Sequence, residues 1–490
     1  MTGPIAALRI PTRRNAELLM LLFSVLIVVA AEAAVEATRD GHLSAHLATY
    51  AAVPVAIGLV THLVIRKVAP YADPLLLPIA VLLNGLGLVM IHRLDTGLKQ
   101  QAAENHESFQ AAAPTQVLWT VIGVALFVAL IVLIRDHRSL QRYAYTLALV
   151  GVIFLLLPAV LPARYSEVNG ARIWIRVAGF SIQPGEFAKI LLTIFGAAYL
   201  VAKRDVLSLA GRRVGFAVRR RFIGFDLPRG RDFGPVLVVW LVCIGVLIRG
   251  HDLGTSLLFF GLFIVLLYVT TERVSWVIIG VLLFAVGAYL SYKLFGTVQT
   301  RVGVWLHLFD TADPVPKSNT CSPAYVYCNT GYQLRQSLFG LGTGGIFGTG
   351  LGGGHPELVP LPATDFIISS FGEETGLFGV VGLLMLYSLF VARGLAAGLA
   401  VRDSFGKLLA TGLSFLVGLQ LFVVVAGVTR LLPETGLTTP FLSYGGSSLL
   451  ANWVLLALLL RVSDAARRPA TTPPPPPQAK ATPQPVGVDA

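Results

Sequence analysis

The sequence predicts an all-α, polytopic integral membrane protein of about 12 transmembrane helices with both termini in the cytoplasm. Composition is the first observation, because 55% of the 490 residues are hydrophobic and only 13% are charged. Such a chain carries more apolar surface than a soluble domain can bury. The second observation is the alternation of apolar runs with basic loops, which gives each predicted helix a direction.

Most of the apolar runs have the length of about 17–25 residues that crosses a bilayer core as a helix. They lie near 16–34, 47–65, 75–91, 117–134, 144–161, 184–202, 235–248, 254–270, 276–295, 366–392, 408–428 and 443–461. The seventh run is short, and charged residues stand near the start of the sixth. No small-residue cleavage site follows the first run, so it predicts a retained helix rather than a signal peptide.

Basic residues crowd every second loop, and the positive-inside rule makes those loops cytoplasmic. The clusters are Arg66 and Lys67, Arg135 to Arg142, Lys203 to Arg231, and Arg461 to Arg468. The loops 162–183, 249–253, 296–365 and 429–442 are therefore predicted to lie outside. Cationic loops beside anionic membrane lipids also explain the net charge of +12, so no nucleic-acid partner is needed.

The three cysteines agree with this orientation. Cys321 and Cys328 lie in the long outer loop, where an oxidising compartment lets them close a short ring, so we predict a disulfide. A metal site built on these two thiolates lacks a clear third ligand, and no metal site is predicted. Cys243 lies within an apolar run and is expected to pack as a small apolar residue.

The glycine-rich segment Gly340–Gly354 is not predicted to bind ATP. It lacks the Lys-Ser or Lys-Thr ending of a phosphate-binding loop, and it lies on the outer side of the membrane. Since the chain has no nucleotide-binding motif, energy must come from an ion gradient or an activated substrate. Two function classes remain, which are a transporter and an enzyme that uses a lipid-linked donor at the outer face.

Polar residues near the outer ends of the predicted helices gather at four places in the sequence. The groups are Arg172, Trp174, Arg176, Gln183, Glu186 and Lys189; His251, Asp252 and Thr255; Arg301, Tyr332, Gln333, Arg335, Gln336, Asp365, Glu373 and Glu374; and Arg430, Pro433, Gly436, Pro440 and Ser443–Ser448. Ionisable residues at membrane helices are costly to bury and usually serve a function. We expect all four groups to open onto one outer vestibule.

Several of these residues form recognisable blocks. They are Gly170–Ile175 with Gln183–Glu186 and Lys189, Asp252–Ser256, Gly331–Gln333 with Gln336-Ser337, Thr364–Phe366, Glu373–Gly376, and Pro440–Ser448. In this order, over roughly residues 75–461, they resemble the signature blocks of the shape, elongation, division and sporulation (SEDS) family. This is the RodA/FtsW/SpoVE group of peptidoglycan polymerases, and the chain most resembles its actinobacterial RodA members.

The resemblance implies a domain organisation. Residues 1–74 are an amino-terminal cytoplasmic segment with two additional transmembrane helices. Residues 75–461 are the polymerase core of about ten helices, with a large extracellular loop at 296–365. Residues 462–490 form a proline-rich cytoplasmic tail, which we expect to be disordered.

The chain departs from the family pattern at four positions. Glycine replaces serine in Pro184–Glu186, Ala363 replaces the histidine before threonine-aspartate, Ile173 replaces an arginine and Val424 replaces an asparagine. Asp365 is retained, so its carboxylate is the reactive group that this chain shares with the family pattern. A mechanism that depends on the histidine is weakened.

By this resemblance, the protein is an inverting glycosyltransferase in the bacterial cytoplasmic membrane, active on the extracellular side. It joins lipid II units into β-1,4 glycan strands for cell elongation and shape, and it releases undecaprenyl pyrophosphate. The implied protein partner is a class B penicillin-binding protein, a transpeptidase. No cofactor is required on sequence evidence, and a divalent cation such as Mg or Mn is compatible with this chemistry.

Asp365 is the predicted general base, because the acceptor hydroxyl must lose a proton as it attacks the donor sugar. Cations must meet the charge on the departing pyrophosphate, and arginine suits a bidentate grip. The cationic candidates are Lys189, Arg172, Arg301 and Arg335. Further substrate-binding or supporting candidates are Glu186, Asp252, Trp174, Gln336 and Ser443.

Each residue also has a structural interpretation. Asp365 equally suits a helix cap worth about 1 kcal/mol, and only the resemblance favours the base. Glu186 and Lys189 are three residues apart and are expected to neutralise each other. Asp252 suits a helix cap, and Trp174 suits an interfacial anchor.

Two functional alternatives stay open. One is a lipid II flippase, which would need a proton relay reaching the cytoplasmic face, whereas we expect the intramembrane charges to cluster outward. The other is a division-specific polymerase of the FtsW type, which shares every block used here.

Overall fold

The structure is a computed structural model that describes residues 12–42, 46–106, 108–168, 171–177, 180–204, 212–218, 221–227, 241, 245, 253–309 and 331–469. Helices dominate these residues, which confirms the predicted fold class. In chain order they are α1 (Arg14–Asp40), α2 (His46–Val68), α3 (Leu76–Glu104), α4 (Ala113–Leu133), α5 (Ser139–Arg142), α6 (Ala144–Val160), α7 (Ala163–Ser166), α8 (Pro184–Ala202), α9 (Leu253–Thr271), α10 (Val274–Leu294), α11 (Gly296–Leu306), α12 (Tyr332–Gly344), α13 (Ile367–Ala400), α14 (Ser404–Val428) and α15 (Gly446–Arg467).

Within the described ranges, 10 helices are long and apolar enough to cross a membrane, and α6 is a shorter apolar helix. Each of them overlaps one predicted apolar run. The run near 235–248 falls almost entirely outside the described residues, so the total of about twelve spans stays a prediction. Both chain ends and most of the proline-rich tail also lie outside them.

Three small antiparallel hairpins interrupt the helical fold, and the all-α prediction did not anticipate them. They pair β1 (Glu167–Val168) with β2 (Ala171–Arg172), β3 (Ile175–Val177) with β4 (Phe180–Ile182), and β5 (Arg212–Val218) with β6 (Arg221–Leu227). Asn169-Gly170 is a strong sequence signal for the first of these turns. The third hairpin belongs to the basic loop that is predicted to be cytoplasmic.

The core of the bundle surrounds α3 and α15, which are almost wholly buried, whereas α10 is almost wholly exposed. On α15, the Trp453 ring packs edge-on against Phe127 of α4 and against Phe441, with centroids 5.6 and 6.0 Å apart. A Cβ at Gly123 would lie 2.7 Å from the Trp453 ring, so glycine lets α4 approach α15 closely. This packing fixes Phe441, which lies in the turn before the amino-terminal end of α15.

Buried charges also gather at the helix ends that are predicted to face the cytoplasm. Asp73, between α2 and α3, accepts hydrogen bonds from Arg393 of α13 (2.8 Å) and from Arg467 of α15. Arg14 of α1 donates to the carbonyl of Ala72 beside them. These four charged residues lie just outside the predicted apolar runs, so the expectation that charges within the runs cluster outward stays a prediction.

Candidate functional site

Asp365 lies in the turn that leads into α13 and is half-buried. The position that caps α13 is Phe366, which makes no side-chain cap hydrogen bond. The Asp365 Oδ1 atom instead lies 2.6 Å from the hydroxyl of Thr364, which donates to it. The helix-cap interpretation therefore has little support here, and the carboxylate remains available for chemistry.

The turn that carries Asp365 is clamped by the block that precedes α15. Ser443 Oγ donates to the carbonyl of Thr364, and the Tyr444 N–H donates to the carbonyl of Ala363 at 2.7 Å. Ser443 is itself held, since its Oγ accepts from the Thr439 N–H at 2.8 Å. Two segments far apart in sequence thus fix the peptide on either side of Thr364, and this orients the next residue. Ser443 is a supporting residue in this geometry.

A second carboxyl group, that of Glu434, lies close enough to Asp365 for the two groups to interact electrostatically. Glu434 is half-buried in the loop between α14 and α15. Burial, reinforced by the charge of Asp365, raises the pKa of Glu434 to about 8, although the cation of Arg301 opposes the shift. We refer to Asp365, Glu434 and Arg301 as the Asp365 centre. Sequence analysis missed Glu434, because only the fold brings its loop to Asp365.

Arg301 reaches the centre from α11. Its Nη1 donates to the backbone carbonyl of Glu434 at 3.2 Å. The same helix is fastened to the loop by Trp305 Nε1, which donates to the carbonyl of Arg430 at 3.0 Å, and by Arg430 Nε, which donates back to the Trp305 carbonyl at 2.8 Å. The structure therefore places the predicted cation Arg301 beside Glu434, whose carboxyl group interacts with the predicted base.

Glu186 and Lys189 are both buried on α8, and their charged atoms lie 2.6 Å apart. Lys189 Nζ also donates to Gln420 Oε1 of α14 at 2.8 Å, and Gln420 in turn donates to the carbonyl of Thr438 at 2.7 Å. This geometry favours the structural interpretation of the pair. A direct role in holding substrate stays a prediction with less support.

The remaining candidates of the first group lie at the hairpins. Arg172 is exposed on β2 and pairs with Glu167 on the neighbouring strand at 3.0 Å. Trp174 is half-buried, and its backbone N–H donates to the carbonyl of Ser166 at 3.3 Å. Whether either residue binds substrate stays a prediction.

Arg335 and Gln336 lie on α12 and are half-buried. Beside them, Gln333 Nε2 donates to the carbonyl of Pro360 at 2.7 Å, which fastens α12 to the segment that leads to Asp365. Arg335 and Gln336 thus lie on a helix that is hydrogen-bonded to Pro360, a residue only a few positions before Asp365 in the sequence. Asp252, Cys321 and Cys328 lie outside the described residues, so the disulfide and the role of Asp252 stay predictions.

Glu373 and Glu374 do not join the Asp365 centre, so the expectation of one vestibule for all four groups needs correction. The fully buried Arg93 of α3 donates to Glu374 and, at 2.8 Å, to Glu357. Glu373 accepts from the backbone N–H of His355 at 2.7 Å. We refer to Arg93, Glu357, Glu373 and Glu374 as the Arg93 cluster. Sequence analysis missed Arg93 and Glu357, because an ion pair between separate helices leaves no local pattern.

The glycine-rich segment Gly340–Gly354 packs against a break in α13. Gly376, with φ 66°, interrupts the helix, and the freed N–H of Leu377 donates to the carbonyl of Gly345 at 2.9 Å. A Cβ at Gly348 would collide with the backbone of α13. The glycines therefore let the two backbone segments come close enough to form hydrogen bonds between their N–H and carbonyl groups.

An apolar groove of about 550 Å³ opens between α1, α3 and α13. Its lining is almost wholly apolar and includes none of the predicted site residues. Among the described residues, no group of three or more His, Cys, Asp or Glu side chains is arranged to hold a metal ion. The Asp365 centre is therefore the best candidate for chemistry.

Residues 74–468 match the FtsW/RodA/SpoVE family, described as cell cycle proteins. Peptidoglycan glycosyltransferase RodA of Mycobacterium bovis is 51% identical over 460 residues, which cover 94% of this chain and 92% of that protein. A probable peptidoglycan glycosyltransferase FtsW of a Geobacter species is 35% identical over 405 residues, which cover 82% of this chain and 99% of that one. A chain solved in a study of how a peptidoglycan synthase complex coordinates polymerization and crosslinking matches with a TM-score of 0.55 and 26% identity, over 78% of this chain and 98% of that one. The protein whose geometry is described above therefore belongs to the FtsW/RodA/SpoVE family.

Proposed function

We propose that the protein is a peptidoglycan glycosyltransferase of the RodA type, which polymerises lipid II into β-1,4 glycan strands at the outer face of the cytoplasmic membrane. The single observation that carries this proposal is the Asp365 centre, a carboxylate clamped at the start of a membrane helix, with the carboxyl group of Glu434 and the cation of Arg301 close by. The relatives named RodA support the enzyme class. Their 51% identity, against 35% for the FtsW-named relative, favours elongation over division.

In the proposed reaction, the acceptor hydroxyl attacks the anomeric carbon of the donor and its proton passes to Asp365. The bond between that carbon and the pyrophosphate oxygen breaks, and undecaprenyl pyrophosphate leaves with the bonding electrons. One displacement inverts the α-linked donor to a β-linked product, so no covalent sugar-enzyme intermediate is needed.

Cations near the carboxylate would stabilise the departing pyrophosphate. Arg301 is the best placed of the predicted four, because it already reaches the loop that holds Glu434. Lys189 is less suitable, since its ammonium group is buried between Glu186 and Gln420. Arg172 and Arg335 remain candidates for contacting the pyrophosphate once substrate is bound.

The partner in this proposal is a class B penicillin-binding protein. The matched chain from a peptidoglycan synthase complex supports a partner that crosslinks the product. We expect its membrane helix to pack against the spans rather than the tail. The active site would face outward by the distribution of basic loops, and added Mg or Mn would show whether a divalent cation assists.

The test is polymerisation of purified lipid II by the reconstituted protein with its cognate penicillin-binding protein. We expect glycan strands from the wild type, and a loss of roughly 10²–10⁴-fold in rate for Asp365→Asn, the contribution typical of a general base. The matched control is Asp136→Asn, because the Asp136 side chain is 61% exposed on a loop that is predicted to be cytoplasmic. All three proteins must show the same thermal unfolding and partner binding.

Two outcomes would contradict the proposal. If the wild type makes no polymer but moves lipid II between leaflets, the flippase alternative replaces it. If Asp365→Asn polymerises as fast as Asp136→Asn, the enzyme class stands but Asp365 is not the base.

A further inference from the structure

The apolar groove between α1, α3 and α13 runs along most of the membrane thickness. Its lining extends from Met20 to Val35 on α1 and from Pro78 to Arg93 on α3. Each stretch measures about 22 Å at the usual helical rise, against ~30 Å for the hydrocarbon core of a bilayer. The groove is therefore long enough to hold a lipid chain that lies parallel to the helices.

The groove is open to the bilayer mainly in the half that is predicted to lie toward the cytoplasm. There, Phe23 of α1 is 63% exposed and Leu389 of α13 is 40% exposed. Toward the other end, the lining residues Ala31, Val35 and Met90 are buried. A ligand would therefore enter from the inner leaflet, and the outer half of the groove would receive only the end of its chain.

Charged side chains stand at the inner end of the groove. Leu389 lines the groove, and Arg393 lies four residues further along α13 on the same face of the helix. Arg393 Nε donates to Asp73 at 2.8 Å, and Arg467 of α15 donates to the same carboxylate oxygen. Asp73 comes two residues before Leu75, which also lines the groove. The two arginines thus lie where the groove would meet the lipid headgroups.

The two arginines carry more positive charge than their shared partner compensates. Asp73 is fully buried and accepts from both, whereas the side chains of Arg393 and Arg467 are 31% and 29% exposed. Arg14 of α1, which stands beside them, is balanced separately by Glu17. One positive charge is therefore left over, on side chains that stay partly accessible at the end of an apolar groove.

We propose that the groove, together with Arg393 and Arg467, binds one anionic phospholipid of the inner leaflet. One acyl chain lies along α1, α3 and α13, and the phosphate contacts the two guanidinium groups. Arginine suits this contact, because its planar group donates two parallel hydrogen bonds to phosphate oxygens. Basic pockets between transmembrane helices on the cytoplasmic side bind anionic headgroups in this way. The inference concerns lipid binding and does not depend on the proposed function.

The size of the groove favours a lipid chain over a transmembrane helix of a partner. A helix with its side chains is about 10–12 Å wide, so 22 Å of it fills roughly 1,700–2,500 Å³. The groove holds about 550 Å³. A single flexible chain can fill such a volume, whereas a helix would leave most of its own surface outside.

A lipid at this place would also have a structural effect. The helix α1 precedes the part of the chain that matches the family. An acyl chain in the groove fills the space between this additional helix and α13, so it would join the additional helices to the core of the bundle.

The experiment measures how tightly the full-length protein in detergent binds phosphatidylglycerol and phosphatidylcholine, by native mass spectrometry of lipid titrations. We expect the wild type to bind phosphatidylglycerol about fivefold more tightly, the effect of one basic residue near an anionic headgroup. Arg393→Met should lose this preference. The matched control, Arg138→Met, should keep it, since Arg138 is 57% exposed in a loop predicted to be cytoplasmic and also pairs with an aspartate, Asp403.

A second variant tests the groove without changing the charged side chains. Gly382 of α13 lines the groove, and a Cβ there would meet no atom of the described residues within 4 Å. We expect Gly382→Leu to bind both lipids about tenfold more weakly, as when about two methylene groups of the chain lose their contacts. The control is Gly287→Leu on the exposed helix α10, where a Cβ also has open space among the described residues. It should bind both lipids like the wild type.

Three results would overturn the inference. One is equal affinity of the wild type for the two lipids, and another is equal binding of phosphatidylglycerol by Gly382→Leu and Gly287→Leu. The third is a Gly382→Leu protein that keeps its lipid but loses the penicillin-binding protein, because the groove would then hold a helix of the partner. The comparison of the two glycine variants decides the matter even where Arg393→Met lowers stability by removing a partner of Asp73.

Discussion

The Arg93 cluster and the Asp365 centre both collect carboxyl groups on the predicted outer side of the bundle, but they satisfy them differently. In the Arg93 cluster, Glu357 receives the guanidinium of a fully buried arginine. Burial would raise the pKa of Glu357, yet Arg93 and the hydrogen bonds outweigh burial and lower it. In the Asp365 centre, two carboxyl groups meet, and the pKa of Glu434 is raised. The first cluster therefore places its carboxylates against a buried cation, whereas the second brings a second carboxyl group close to the predicted base.

The two regions also depend on each other. Arg93 donates to Glu374 and to the backbone carbonyl of Gly354, which docks the glycine-rich segment onto the start of α13. Asp365 lies immediately before that helix. A buried ion-pair cluster therefore supports the backbone that presents the Asp365 carboxylate, as precise positioning of a catalytic group requires.

Arg93→Met is expected to have the largest effect, because it removes the cation that Glu357 and Glu374 share. The substitution leaves Glu357 and Glu374 in a buried site without their cation, which typically costs about 3–5 kcal/mol. We expect a large fall in thermal stability in detergent, measured by the loss of tryptophan fluorescence or of monodisperse protein on heating.

Arg172→Met is the matched control, since Arg172 and Glu167 form an exposed pair with 47% and 38% of their side chains accessible. Such surface pairs contribute about 0–1 kcal/mol. Equal losses of stability in the two variants would refute the structural role of the Arg93 cluster.

Substitutions at Glu186 and Lys189 have the next largest expected effect. They test whether this pair is structural, like the Arg93 cluster, or takes part in substrate binding, like the Asp365 centre. Lys189→Met alone leaves Glu186 buried and unpaired, so we expect a loss of about 3 kcal/mol and of activity. Replacing both residues with methionine removes both charges, and such exchanges are often neutral or stabilising. We therefore expect the double variant to recover thermal stability and lipid II polymerisation together.

One result for the double variant would assign Glu186 and Lys189 to substrate binding instead of structure. If the double variant is as stable as the wild type but does not polymerise lipid II, Lys189 or Glu186 contacts substrate after all. Thermal unfolding and polymerisation must therefore be measured on the same preparations.

Sequence reasoning singled out those members of the candidate site that leave a local trace. Asp365 stands where an apolar run begins, and Arg301 is a cation in a predicted outer loop, so the charge pattern marks both as candidates, and the family resemblance favours Asp365 as the base. The apolar runs likewise predicted the helices, because crossing a bilayer constrains length and composition within one continuous segment.

The missed residues make contacts that no local pattern encodes. Glu434 meets Asp365 only because the loop after α14 folds back beside α11. Glu373 and Glu374 were grouped with Asp365 because they follow it closely in sequence, but their helix directs them to the segment held by Arg93. Pairing between separate elements depends on tertiary packing, and a single sequence carries little information about it.

Ser443→Ala is expected to have the smallest effect, and it tests how firmly the Asp365 turn must be held. The change removes the hydrogen bond from Ser443 Oγ to the Thr364 carbonyl and the one it accepts from the Thr439 N–H. A single such bond contributes about 1 kcal/mol, so we expect a small fall in thermal stability and a loss of severalfold in kcat. KM for lipid II should change little, because Ser443 acts through the backbone rather than on substrate.

The control for this substitution is Ser139→Ala, whose hydroxyl donates to the Asp136 carbonyl at an exposed turn. It should leave both kcat and thermal stability near the wild-type values. A Ser443→Ala protein with unchanged kcat would show that the Tyr444 N–H and the packing of Phe441 hold the turn without the hydroxyl. If KM rises while kcat is preserved, Ser443 contacts lipid II directly, and the boundary of the Asp365 centre must be extended to include it.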